Sequence, residues 1–184
     1  PVNYWMTILT GSYGILREVA AHVLGTVKEP VSEEGVTALI TTLQDNNGRV
    51  RRAAALALKA VGKRVPEAGV TALLSVLQDN DWHICQAAVE ALGAVGEQLS
   101  EAGVAALISM LQDRDTNVRQ AAAQALGAQG EHLSEAGIAA LFAALQVKES
   151  SYEVHVAIKQ ALGTLKENMI IGKLKVMMSD SDKD

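Results

Sequence analysis

The stretch "DWHICQAA" sets an imidazole at His83 two residues before a thiol at Cys85, side chains that in contact would make a nucleophile and its base. Residues two apart on a helix point in different directions, so the spacing argues for a structural thiol instead. His22, His83, His132 and His155 are scattered along the chain, with no HExxH or Cys-x-x-Cys pattern to gather a metal. No phosphate loop follows a strand, because no strand is expected. The expectation is a non-enzyme without catalytic residues, metal or other cofactor. What remains are side chains suited to binding: Arg49, Arg52, Trp82, His83, Gln86, Glu90, Asn117, Gln120, Gln124 and Tyr152.

A repeat positions them. Gly35, Gly69, Gly103 and Gly137 lie 34 residues apart each time, and Leu43, Leu77, Leu111 and Leu145 keep the same step. Residues 67–100 and 101–134 share 22 of 34 positions. Self-similarity of this period marks a solenoid whose units stack on their neighbours, so the expected fold is an all-α solenoid forming a single domain over residues 1–184. The expected units are a diverged first copy at 1–32, regular copies at 33–66, 67–100 and 101–134, and a copy at 135–170 with two inserted residues. A half unit or cap follows at 171–184, giving about five repeats and a half. The start without Met suggests a fragment or a processed chain, and part of a longer polypeptide is the expectation.

Each unit reads as two helices. In the first, such as 101–112, Val104, Leu107, Ile108 and Leu111 form one apolar face, and Pro66 or Ser100 marks the start. The second, such as 118–130, is Ala-rich, with Val118, Ala121, Ala122, Ala125 and Leu126 facing one way and Thr116 as its expected cap. Gly93, Gly127 and Gly163 fall inside these second helices, where glycine costs about 1 kcal/mol relative to alanine. Close contact between stacked helices is the expected reason.

One position before the core stripe of each second helix, residues point out along one open face. They are Arg49 and Arg52, then His83, Gln86 and Glu90, then Asn117, Gln120 and Gln124, then Glu153 and Gln160. They differ from unit to unit while the framework repeats, as a surface released from packing rules would. Trp82 and Tyr152, at second-helix starts in a chain with 3% aromatics, suit interface anchors, whereas Trp5 matches the core position of Leu39.

The repeat also carries Asp, four residues, then Val-Arg before an Ala-rich run: "DNNGRVRRAAALAL" from Asp45 and "DRDTNVRQAAAQALG" from Asp113. The Trp and Tyr of tetratricopeptide units and the Thr-Pro-Leu-His of ankyrin units are missing. The chain resembles, over essentially its whole length, the short HEAT-like repeats named after phycobilisome lyases. The resemblance implies a right-handed curved solenoid with second helices on its concave side. It also implies an Asp and Arg ladder between turns and helix starts, with Arg17, Asp45, Arg51, Asp113 and Arg119 at the matching positions. Cys85 replaces one ladder Arg, and Val147 and His155 replace an Asp and an Arg, so those joints are looser or recruited to another use.

Charge steps along the chain. Residues 33–66 hold six basic and three acidic residues, net +3, while 67–100 hold five acidic and none basic, net −5, which is also the total. Such a step can orient a charged segment. Only 49–64 is basic, which disfavours nucleic acid. A bilin lyase, suggested by the family's name, is a further alternative, but fold does not fix function. No apolar run reaches the roughly 18 residues of a spanning helix, and a lone Cys85 points to a reducing, cytoplasmic setting. The expected partner is a protein or peptide held on the second helices, with end-to-end self-association through 169–178 as a further option.

Overall fold

Ser32, Ser100 and Ser134 each accept a hydrogen bond from the amide three residues on, that of Gly35, Gly103 and Gly137, and so start three helices in the same way. Pro66 opens the equivalent helix between them without a side-chain bond. In the computed structural model, which describes residues 2–27, 30–147 and 151–165, these belong to a series of first helices. They are α1 (Val2–Leu9), α3 (Glu33–Thr42), α5 (Glu67–Val76), α7 (Glu101–Met110) and α9 (Glu135–Leu145). The second helices are α2 (Gly14–Thr26), α4 (Gly48–Val61), α6 (Trp82–Val95), α8 (Thr116–Gly127) and α10 (Tyr152–Gly163). The fold is all-α, five stacked helix pairs among the described residues. The expected half unit at 171–184 and the apolar end at 169–178 lie outside them.

Thr116 does not cap α8. Asp115 does, its carboxylate accepting from the amides of Asn117 and Val118, while Thr116 is already the first helical residue and its hydroxyl accepts from Arg119. Asn47, Asp81 and Ser151 cap α4, α6 and α10 similarly. α7 ends two residues before the expected 101–112 does, and α8 begins two residues earlier and ends three earlier than the expected 118–130. Between α4 and α5, α6 and α7, and α8 and α9 the chain takes one 3-10 turn, entered at Gly62, Gly96 or Gly130 with φ of 60°, 67° and 53°. That left-handed backbone favours glycine.

Leu39, Leu58, Leu73, Leu92, Leu107, Leu126 and Leu141 are fully buried, one or two from each of the inner pairs. The Ala-rich stripe of α8 is buried as its spacing predicts, and Trp5 packs partly covered against the core. Second helices of neighbouring pairs pack more closely than first helices do. A β-carbon added at Gly93 would lie 2.7 Å from Ala125 Cβ, and one at Gly127 2.8 Å from Ala161 Cβ, which accounts for glycine at these two places; Gly163, expected to do the same, has no neighbour within 4 Å of an added β-carbon among the described residues. Gly25 makes the same approach to Ala57. At the next equivalent place the chain has Lys59, which reaches across to Glu90 at 2.9 Å.

Candidate partner-binding surface

At the turn edge of the stack, Arg17 of the first pair donates to Asp45 of the second at 2.6 and 3.0 Å, a two-point bond of guanidinium to carboxylate. Arg51 of the second pair repeats it on Asp79 of the third, with Nε 2.8 Å and Nη2 2.7 Å from Oδ2. Each arginine also donates to the carbonyl six residues before it, Gly11 from Arg17 and Asp45 from Arg51, tying its own turn to the next pair. Asp79, which stands 34 residues after Asp45, belongs to the ladder although its own unit has Cys85 in place of the arginine.

The ladder then stops. Cys85 occupies the arginine position of the third pair, and its thiol lies 3.0 Å from the Asp79 carbonyl, the contact that an arginine makes elsewhere. Asp113 therefore receives no arginine from the preceding pair, and no ion pair joins it to a cation among the described residues. Arg119 keeps its bonds to the carbonyls of Asp113 and Arg114, but Val147 stands where the next carboxylate belongs. His155, in the last arginine position, has Nδ1 3.1 Å from the Ser151 carbonyl.

The Arg17 guanidinium holds the Asp45 carboxyl below the usual carboxylate range, chiefly by its hydrogen bond, against the effect of burial. A carboxylate depressed in the fold adds stability that is complete above its unfolded value and is lost as pH falls through the folded one. Asp45→Asn keeps an oxygen for the Asn47 amide, which bonds Asp45 Oδ1 at 2.8 Å, and removes the charge. It is expected to cost about 1–2 kcal/mol at pH 7, and the gap from the natural chain is expected to close in urea melts as pH falls below the usual carboxylate range and through the depressed folded-state value. A gap unchanged at low pH would rule out this origin.

The expected binding residues fall into three places. Arg49 and Arg52 line a groove of about 470 Å³ with Glu18 and His22, between α2 and α4. Glu90 and Gln124 line a second, of about 310 Å³, with Lys59 and Ala121, across α4, α6 and α8. Trp82 stands apart at the turn edge, its ring stacked on His83 with centroids 3.6 Å apart. His83 Nδ1 is 3.0 Å from Asp81, whose carboxyl is held low chiefly by that hydrogen bond, with Arg52 contributing from α4. Gln86 donates to Glu90 at 2.8 Å and Lys59 reaches the same carboxylate, so this trio forms an internal bridge on the surface. Gln120 is half-buried, Asn117 bonds the Asp115 cap, and Tyr152 is exposed. No sequence signal joined Lys59 to Glu90, because they stand in different columns of the repeat.

Chemistry at Cys85 is disfavoured. Burial pushes its thiol up, and the Asp113, Asp79 and Asp81 carboxylates push the same way. A thiol raised in this manner holds little thiolate near neutral pH. No three His, Cys, Asp or Glu residues converge on a possible metal position among the described residues, and no helix there is long and apolar enough to cross a membrane.

These features match known proteins at the level of the repeat. A family model described as PBS lyase HEAT-like repeat matches residues 50–79. Among solved structures, the complex of CpcE and CpcF of phycocyanin lyase from Nostoc sp. PCC7120 aligns at 25% identity and TM-score 0.73, over 95% of this chain and 68% of that one. A designed armadillo repeat protein in complex with the peptide (KR)4 aligns at 20% identity and TM-score 0.73, over 89% and 81%. Kap121p bound to Nup53p aligns at 14% identity and TM-score 0.73, over 97% of this chain but 21% of that one. The last two show a shared fold alone. No curated protein matches the chain. The model described as HEAT repeats covers residues 70–163, more than half of the sequence, and the chain belongs to the HEAT repeat family.

Proposed function

We propose that this chain is a non-enzymatic scaffold that holds a protein or peptide segment along the inner side of its second helices. The observation that carries the reading is the pair of open grooves between neighbouring second helices, one presenting Arg49 and Arg52, the other Glu90 and Gln124. Closer packing of the second helices than of the first supports taking that side as the concave one. The first groove is net basic, Arg49 and Arg52 against Glu18, while Lys59 neutralises Glu90 in the second, so a segment with one acidic portion gains a direction as well as a place. That Kap121p is bound to Nup53p, and that the designed armadillo protein holds (KR)4, agrees with partner binding on such stacks.

The test compares the natural chain with Arg52→Glu and with Gln124→Ala, one from each groove, in affinity capture from a lysate, read by mass spectrometry, with circular dichroism melts as the folding control. A captured protein lost on Arg52→Glu by a chain that still melts normally is the expected result. The loss anticipated for either side chain is about 1–3 kcal/mol of binding, about fivefold or more in affinity. Retention of the same partners by both folded variants sinks the assignment of the groove to these residues. The likeness to the phycocyanin lyase subunits, at 25% identity, favours one second reading, a scaffold assisting bilin attachment. A tetrapyrrole absorbance carried through purification with a bilin supplied would mark it.

A further inference from the structure

The joint between the third and fourth pairs has a cavity of about 620 Å³ at the turn edge, where the ladder loses its arginine. It is lined by Asp79, Trp82, Cys85, Met110 and Asp113 among others, and it opens to solvent. The two preceding joints hold the ligand type for such a place: a guanidinium on the carboxylate of the following pair, at 2.6–3.0 Å in one and 2.7–2.8 Å in the other. Here the carboxylate is kept, as Asp113, with Oδ1 accepting from the Asp115 amide at 2.8 Å as Asp45 accepts from Asn47. The cation is not kept. Cys85 is too short to reach across the joint, and its thiol stops at the Asp79 carbonyl.

A second departure coincides with the first. The residue that opens each second helix lies beside the ladder guanidinium. A β-carbon on Gly14 would be 3.8 Å from Arg17 Nη2, one on Gly48 would be 3.6 Å from Arg51 Nη2, and Thr116 bonds Arg119 Nη2 at 2.9 Å. Where the arginine is missing, this residue is Trp82. An indole there is 36% exposed, with its ring beside the empty position, in the unit that carries net charge −5. Arginine over an aromatic face and against a carboxylate combines cation–π attraction with a charge-assisted bond. The field is right as well, since the Asp113 and Asp79 carboxylates both raise the Cys85 thiol. Arg114 also lines the cavity but joins no ion pair among the described residues.

We propose that this vacant rung is a binding site for a guanidinium supplied from outside, the arginine side chain of a partner protein, taken by Asp113 and covered by Trp82. The incoming group completes the ladder in trans. The site lies at the turn edge rather than in either groove of the second helices, so it stands or falls apart from the concave reading.

The probe is N-acetyl-L-arginine N-methylamide, titrated into the ¹⁵N-labelled full chain and read by NMR at the Trp82 indole N–H and the amides of residues 113–115. The expected result is saturable shifts at these groups, with a dissociation constant of about 1 mM or tighter, and weaker binding of the matching lysine amide by about fivefold or more. Asp113→Asn, which keeps the turn hydrogen bond, is expected to weaken binding about tenfold or more. Cys85→Arg, which fills the position from within, is expected to abolish it. Absence of saturable shifts in the natural chain overturns the proposal, as does equal binding of the lysine amide, or unchanged affinity in Asp113→Asn. Persistence in a folded Cys85→Arg chain overturns it too; if that variant does not fold, Asp113→Asn decides.

Discussion

Leu126→Ala is expected to destabilise the fold by about 2–5 kcal/mol, read as a lowered urea midpoint with little change in slope. The side chain is fully buried in α8, among the largest so enclosed. Its removal takes away apolar contact and leaves a cavity that helices fixed on both sides cannot collapse into. The effect is larger than its area implies, because a solenoid is held by nearest-neighbour interfaces and α8 takes part in two, with α6 and α10. A loss under about 1 kcal/mol would mean that the apolar register of the second helices is wrong.

Gly93→Leu is expected to cost about 1–3 kcal/mol or more by overpacking, although leucine is the better helix former by most of 1 kcal/mol. An added β-carbon already falls 2.9 Å from Ala125 Cα, a backbone atom that cannot turn aside as a side-chain tip can. α6 and α8 must then separate along their length. Gly93→Ala isolates the first step of the same conflict, and its cost should be smaller but of the same sign. Thermal melts of the pair check this; stabilisation by Gly93→Ala would show that propensity outweighs contact here. Gly163 is the internal control, with nothing within 4 Å of an added β-carbon among the described residues.

The fold was legible because repetition multiplies each weak signal. The apolar face of a ten-residue helix is ambiguous alone, but Leu73, Leu107 and Leu141 recur at one spacing and all are fully buried. Close packing at Gly93 and Gly127 was readable for the same reason. Caps were read less well. Asp115 and Thr116 both suit the role, and only the backbone angle at Asp115, extended at φ −85° and ψ 131°, assigns it. The candidate surface was half legible. Helix geometry put Arg49, Arg52 and Gln124 on an open face, but pairing between units depends on offsets of about 28 to 31 residues that the 34-residue period does not display. Hence Arg51 with Asp79, and Lys59 with Glu90, emerge only from the fold. The cavity beside Cys85 depends on a side chain that is missing, and periodicity marks the substitution without measuring the space it leaves.

The broken ladder also gives the molecule an uneven elasticity. Its first three pairs are clamped at the turn edge by Arg17 on Asp45 and Arg51 on Asp79, while along the second helices every joint is held by tight packing. A bending load therefore meets a stiff arm over the early pairs. Past α6 no ladder pair clamps the turn edge among the described residues, and the tightest seam is the line where Gly93 meets Ala125 and Gly127 meets Ala161; rotation about that seam opens or shuts the turn edge as a leaf spring flexes beyond its clamp. Curvature is then set at two joints rather than shared among four, and a partner that spans the clamped and free portions chooses the arc.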